Sequence, residues 1–188
     1  MIRRHFLALG MALGLGTAAL AADPGNTLVI EVGGQANGTI EIALRPDLAP
    51  KHVAQIKALA EAGAYDDVAF HRVIDGFMAQ TGDVAFGKRA AFAGGQAGMG
   101  GSDLPDLPAE FTDTPFVRGT VGMARSQNPD SANSQFFIMF APGPFLDGQY
   151  TVVGEVTSGM DVVDQIARGE GQSGAVANPD YMTQVTVK

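Results

Sequence analysis

The chain has 188 residues, a formal net charge of −8, no cysteine and 25 glycines. That length indicates one domain with room for one sizeable core. The missing cysteines exclude disulfides and thiol catalysis. The acidic balance repels phosphate backbones, so nucleic acid is not an expected partner.

In chain order, "MIRRHFLALGMALGLGTAALA" comes first. Arg3 and Arg4 make a basic start, Phe6 to Leu20 is an apolar run, and Ala19-Leu20-Ala21 supplies small residues for cleavage. This is the layout of a secretory signal peptide over residues 1–21, leaving 22–188 as the working domain. The run of about 15 residues is short of the ~20 that span a bilayer and is diluted by Gly10, Gly14 and Gly16. Cleavage with no lasting membrane attachment is therefore expected. "RRHFL" resembles part of a twin-arginine signal, which leaves the Sec and twin-arginine routes both open. Removing the leader takes the net charge to −10. An exported chain without cysteine is consistent with a bacterial periplasm.

"TLVIEV" (27–32) and "GTIEIAL" (38–44) alternate apolar and polar residues around "GGQAN", the pattern of a β-hairpin. A helical segment opens at Pro46 and Asp47, with Val53, Ile56, Leu59 and Ala60 at helical spacing and Gly63 as its stop. His52 within it is expected to be a solvated surface residue. Val68 to Ile74 and Phe77 to Gln80 read as strands, and residues 82–118, rich in Gly and Pro, as a long segment without regular structure. Strands return at Thr120 to Ala124, Ser134 to Phe140 and Thr151 to Thr157. "GMDVVDQIARG" places Met160, Val163 and Ile166 on one helical face, and "TQVTVK" is a final strand. Many short strands with two helices predict a β-barrel or sandwich capped by helices.

Several chemistries are not supported by the residues. Outside the leader only His52 and His71 remain, with no paired histidine spacing, so a metal site is not expected. "GGQAGMGGSD" lacks the Gly-Lys-Ser/Thr ending of a phosphate loop, and Ser134 does not sit in a G-x-S-x-G elbow.

One stretch carries more. "FHRVIDGFMAQTGD" (70–83) sets Arg72 and Gln80 among large apolar side chains, and an unpaired guanidinium is costly to dry out. In "SQFFI", Gln135 and Phe137 share one strand face while Phe136 and Ile138 take the other; Met78 and Gln80 stand in the same two-residue relation. Two strands would thus each present an amide and a bulky apolar group, the makings of a small pocket. The alternative for Arg72 is a salt bridge to Asp75, Asp66 or Asp67. Phe70 reads as core, His71 as a satisfied, partly buried histidine, and Phe77 and Met78 as core or pocket.

"FHRVIDGFMAQTGD", "GTVGMARSQNPDSANSQFFI" (119–138) and "FLDGQYTVVGEV" (145–156) together resemble the cyclophilin family of peptidyl-prolyl cis/trans isomerases, over roughly residues 27–187. The resemblance implies a mainly β fold, a closed eight-stranded antiparallel barrel capped by two α-helices, with the active site on its outer face. It implies X-Pro peptides and unfolded segments as partners, no cofactor, and Arg72 as the catalytic arginine assisted by Gln80. Met78, Phe77, Phe137 and Leu146 would line a proline pocket and Gln135 would supply a hydrogen bond. Ala124 and Arg125 would contact the peptide, Arg125 through its backbone, with Phe145 and Tyr150 at the rim. A monomer is expected. Asp75 stands where many members carry proline, Thr81 where glycine is common, and Tyr150 where a histidine is usual. Phe145 replaces a tryptophan that many eukaryotic members use to bind cyclosporin; it lacks the indole N–H, which implies weak cyclosporin binding with isomerase activity kept. A non-catalytic module of the same fold that holds proline segments remains the alternative.

Overall fold

The computed structural model describes residues 25–92 and 95–188. The leader expected over 1–21 lies outside them. The elements run β1 (Thr27–Gly33), β2 (Gly38–Leu44), α1 (Pro50–Glu61), β3 (Val68–Ala69), β4 (Arg72–Ile74), β5 (Met78–Thr81), β6 (Thr120–Met123), β7 (Phe136–Met139), β8 (Val152–Ser158), α2 (Met160–Val163) and β9 (Tyr181–Val187).

Every ladder is antiparallel, and the nine strands form one sheet in the order β3-β9-β1-β2-β8-β6-β7-β5-β4. The two ends of that order, β3 and β4, are neighbours in the chain, separated only by Phe70 and His71. Three residues of chain reach at most about 10 Å, so the sheet curls enough to bring its edges near each other. Among the described residues no ladder joins β3 to β4, and the expected closed barrel is an open, curled sheet. Its nine strands also correct the expected count of eight. The strand read as Val68 to Ile74 is interrupted because its middle leaves the ladder: the Phe70 N–H donates to the Asp180 carbonyl, and the His71 carbonyl accepts from Val176. Both short edges are also covered. Ala69 donates to Gly87, Val73 donates to Gly174, and Gly169 donates to Val73.

Strand alternation sorts the side chains as the period of two requires. Ala79 of β5, Val121 and Met123 of β6, and Phe136 and Ile138 of β7 join the main core with Ile30, Ile40, Ile42 and Val185. The opposite face of the same strands is not solvated. Met78, Phe137, Met139 and Val152 pack there with Phe116 and Leu146 into a second, smaller apolar cluster.

The helices close the main core. Val53, Ile56, Leu59 and Ala60 are buried, as their spacing predicts. Helix α1 starts at Pro50 rather than Pro46, because residues 45–48 make a turn in which the Arg45 carbonyl accepts from Leu48 and Ala49. Helix α2 is a single turn, although Val163 at its end and Ile166 three residues further on are buried as expected.

His52 is a further correction: it is fully buried. Ala49 offers no side-chain cap to α1. Glu110, from the irregular 82–118 segment, takes that place: its carboxylate accepts from the Lys51 and His52 backbone N–H groups at 3.1 Å and from His52 Nδ1 at 2.6 Å. Burial pushes the Glu110 carboxyl up, but the hydrogen bonds from the His52 ring and from the two backbone amides outweigh it and hold the group below its ordinary 4.5. A distant cap was invisible to helical periodicity, which placed His52 outside.

Truncation by Glu110→Ala removes the cap and strands the buried ring, so it should lower stability by roughly 2–4 kcal/mol. Since the folded-state value is depressed, the stabilisation is complete above pH about 4.5 and disappears as pH falls through the lower folded value. Denaturant titrations across that window should show a pH slope that Glu110→Gln lacks; identical slopes would contradict this account.

Candidate active site

The site is built on the outer face of β4, β5, β6 and β7. Asp75, Gly76 and Phe77 turn β4 into β5, with Gly76 at φ 68°, a conformation glycine adopts without strain. The register sets Arg72 opposite Gln80, and Gln80 opposite Phe137. Tyr65 fixes the entry to β7. Its ring lies edge-on to Phe136, with centroids 5.7 Å apart, and its hydroxyl donates to the Ser134 carbonyl at 2.8 Å. The Ser134 hydroxyl donates to Gly82 at 2.7 Å. Gln135, the next residue, therefore leaves a pinned backbone.

A cavity of about 440 Å³ opens on this face. Arg72, Phe77, Met78, Gln80, Ala124, Arg125, Phe137, Phe145, Leu146 and Tyr150 all line it. Of the residues named from the sequence, Gln135 alone lies outside that wall, in an adjoining groove with Gly98, Met99, Gly100, Ser126 and Ser131. Met78, Phe137 and Leu146 form an apolar floor and are almost wholly buried, while Phe145 stands 64% exposed at the rim against Phe77. Gln149 also lines the cavity and was not anticipated. It sits in an irregular loop, where no periodicity marks a side chain as inward.

Arg72 is held from behind. Its Nε donates to the Ser173 carbonyl at 3.0 Å, and Nη1 donates to Gln80 Oε1 at 3.1 Å. Among the described residues it has no ion pair, and Nη2 has no hydrogen bond. The carboxylates considered as its partners are engaged elsewhere: Asp75 with Arg168 at 2.9 Å, Asp67 with Arg89 at 3.3 Å, and Asp66 with the Val185 N–H at 2.9 Å. The salt-bridge alternative therefore fails on geometry.

The Arg125 guanidinium donates to the Gln149 and Ser126 carbonyls and lies 4.4 Å over the Tyr150 ring. Its own backbone N–H and C=O have no partner among the described residues. His71 is buried, and no hydrogen bond reaches either ring nitrogen among the described residues, so it is not the satisfied histidine expected. Burial holds its pKa down, against the pull of the nearby Asp83.

Residues 27–187 match the family model for cyclophilin type peptidyl-prolyl cis-trans isomerases. The chain belongs to this family. It is 60% identical over 182 residues to a probable peptidyl-prolyl cis-trans isomerase of Brucella suis, covering 96% of this chain and 91% of that one. Among solved structures it resembles a cyclophilin from Hirschia baltica with TM-score 0.71 and 27% identity, covering 88% of this chain and 74% of that one. A cyclophilin type isomerase of Cryptosporidium parvum, crystallised in the presence of the dipeptide Ala-Pro, shares the fold with TM-score 0.73 at 23% identity, covering 86% of this chain and 98% of that one. As a cyclophilin, the chain is a peptidyl-prolyl isomerase, and nothing favours the non-catalytic alternative.

The cavity floor has one tight point. Phe116 and Phe137 stack at 5.8 Å, and a Cβ built on Gly122 would meet both rings at 2.6 Å. Alanine is ordinarily the better strand residue, yet Gly122→Ala should destabilise by about 1–3 kcal/mol through overpacking. An unchanged or raised unfolding midpoint would show that these rings move aside freely.

Proposed function

We propose that the cavity receives the proline ring of an X-Pro segment and that Arg72 drives rotation about the bond before it. The observation that carries this reading is Arg72 itself: a guanidinium anchored by Ser173 and Gln80, unpaired with any carboxylate among the described residues, on the wall of an apolar-floored cavity. Amide resonance holds the X-Pro bond planar behind a barrier of about 18–20 kcal/mol, and unaided isomerisation takes roughly tens to hundreds of seconds. At the twisted midpoint resonance is lost and the proline nitrogen regains a lone pair. A fixed N–H donor then binds the twisted form better than either planar isomer, which is the condition for catalysis. Arginine suits this task because it stays charged and carries several donors.

The other residues divide the work. Met78, Phe137 and Leu146 take the ring, with Phe77, Phe145 and Tyr150 at the rim. Gln80 steadies Arg72, and Gln135 steadies Gln80. Beside Ala124, the unpaired backbone groups of Arg125 offer a donor and an acceptor to the extended peptide. The Ala-Pro dipeptide present with the Cryptosporidium relative fits this substrate class. No nucleophile or proton transfer is required. One chain supplies every wall, so action as a monomer needs no second copy. The leader reading adds export to a periplasm, where the substrates would be folding or flexible proline-containing chains.

With residues 22–188 and an Ala-Pro or Gly-Pro reporter, Arg72→Ala should lower kcat/KM by roughly 10²–10³, the scale for one oriented transition-state donor. Equal rates would reject the mechanism, and no acceleration by the unmutated protein would favour a holding module. Expressed with its leader, the protein should be recovered from the periplasm beginning at residue 22; a cytoplasmic product retaining Arg3 and Arg4 would overturn the export reading.

A further inference from the structure

Asp83 is fully buried and makes no ion pair among the described residues. Four backbone amides surround it instead. Oδ1 accepts from Ala85 at 3.1 Å and Phe86 at 2.9 Å, while Oδ2 accepts from Gly98 at 2.7 Å and Gly100 at 3.0 Å. The carboxylate therefore staples a glycine-rich loop to the end of β5. That loop turns its carbonyls toward the site: Gln135 Nε2 donates to Gly98 O at 3.0 Å and to Gly100 O at 2.7 Å. Gln135 Oε1 accepts from Gln80 Nε2 at 2.9 Å, and Gln80 Oε1 accepts from Arg72 Nη1 at 3.1 Å.

The direction of this chain is forced. Carbonyls only accept and a guanidinium only donates. Two amides between them satisfy both ends in one orientation: each turns its nitrogen toward the loop and its oxygen toward Arg72. If the loop carbonyls withdrew, both glutamines would be free to flip, and a flipped Gln80 would aim an NH₂ group at the guanidinium.

We propose that Asp83 is a positioning residue for the isomerase reaction. Its four-amide grip sets the Gly98 and Gly100 carbonyls, and these fix Gln135, Gln80 and Arg72 in turn. It touches neither the cavity nor any substrate. The inference rests on Arg72 as the catalytic group, so the test includes a signal that does not depend on turnover.

Asp83→Asn replaces one acceptor oxygen with a donor that faces backbone N–H groups. At temperatures where the variant is folded, kcat/KM on the Ala-Pro reporter should fall by up to about 10²-fold, the scale for a misplacement of about 1 Å. The Arg72 Nε–H resonance should shift or broaden in ¹⁵N correlation spectra. The double variant with Gln135→Ala should be no slower than the slower single variant, because both break one relay. Gly100→Ala keeps the carboxylate but sets a Cβ 2.5 Å from Asp83 Oδ1; it is read in the same way where the asparagine variant does not fold. An unmoved Arg72 resonance with normal kcat/KM, or multiplicative losses in the double variant, would overturn the relay. A moved resonance combined with full activity in Arg72→Ala would instead sink the catalytic reading and leave the relay standing.

Discussion

A cation with no counter-ion among the described residues, placed beside an apolar-floored cavity, is the constraint around which this molecule is arranged. Left alone, a guanidinium there would fold onto the nearest carboxylate and lose its aim. The chain has many carboxylates to offer, yet four that lie near Arg72 in sequence are committed elsewhere. Asp75 goes to Arg168, Asp67 to Arg89, Asp66 to a β9 amide, and Asp83 to four backbone N–H groups. Among the described residues Arg72 is steered by neutral acceptors, a carbonyl, a side-chain amide and, weakly, the Met78 sulfur. These fix its direction without cancelling its charge.

The same economy explains the two-sided burial of the central strands. A sheet that packed a core on one face and met water on the other could not hold a dry pocket on its outer side. The smaller cluster around Phe116, Phe137 and Leu146 gives that outer face an apolar floor. Gly122 lets the two phenyl rings lie close to the sheet. The polar side chains of Arg72 and Gln80 stand at the border of that floor.

Local pattern revealed the parts that depend on neighbours in sequence. The hairpin, the buried face of α1 and the split of "SQFFI" into core and site followed from periods of two and 3.6. Of the cavity residues, Met78, Gln80 and Phe137 were legible from both motif and alternation, while Ala124, Arg125, Phe145, Leu146 and Tyr150 were legible from the family motifs alone. What stayed hidden depends on contacts distant along the chain. His52 looked solvated because its partner Glu110 is 58 residues away. The break at Phe70 and His71 is caused by carbonyl and amide partners in the segment before β9. Gln149 and the adjoining groove come from loops, whose course no periodic signal describes. Asp83 read as the end of a motif, and its meaning appeared only once Gly98 and Gly100 were seen against it.

The curled sheet has a consequence for the company this protein keeps. Its two edge strands, β3 and β4, are two and three residues long, each is shielded by a loop, and the backbone runs from one to the other through Phe70 and His71. Among the described residues, these two edge strands leave little open row of amides to act as a template. Extended, partly folded polypeptides readily add themselves to such rows. An isomerase that binds proline-containing peptides through a side-chain pocket thus offers them little edge on which to pair.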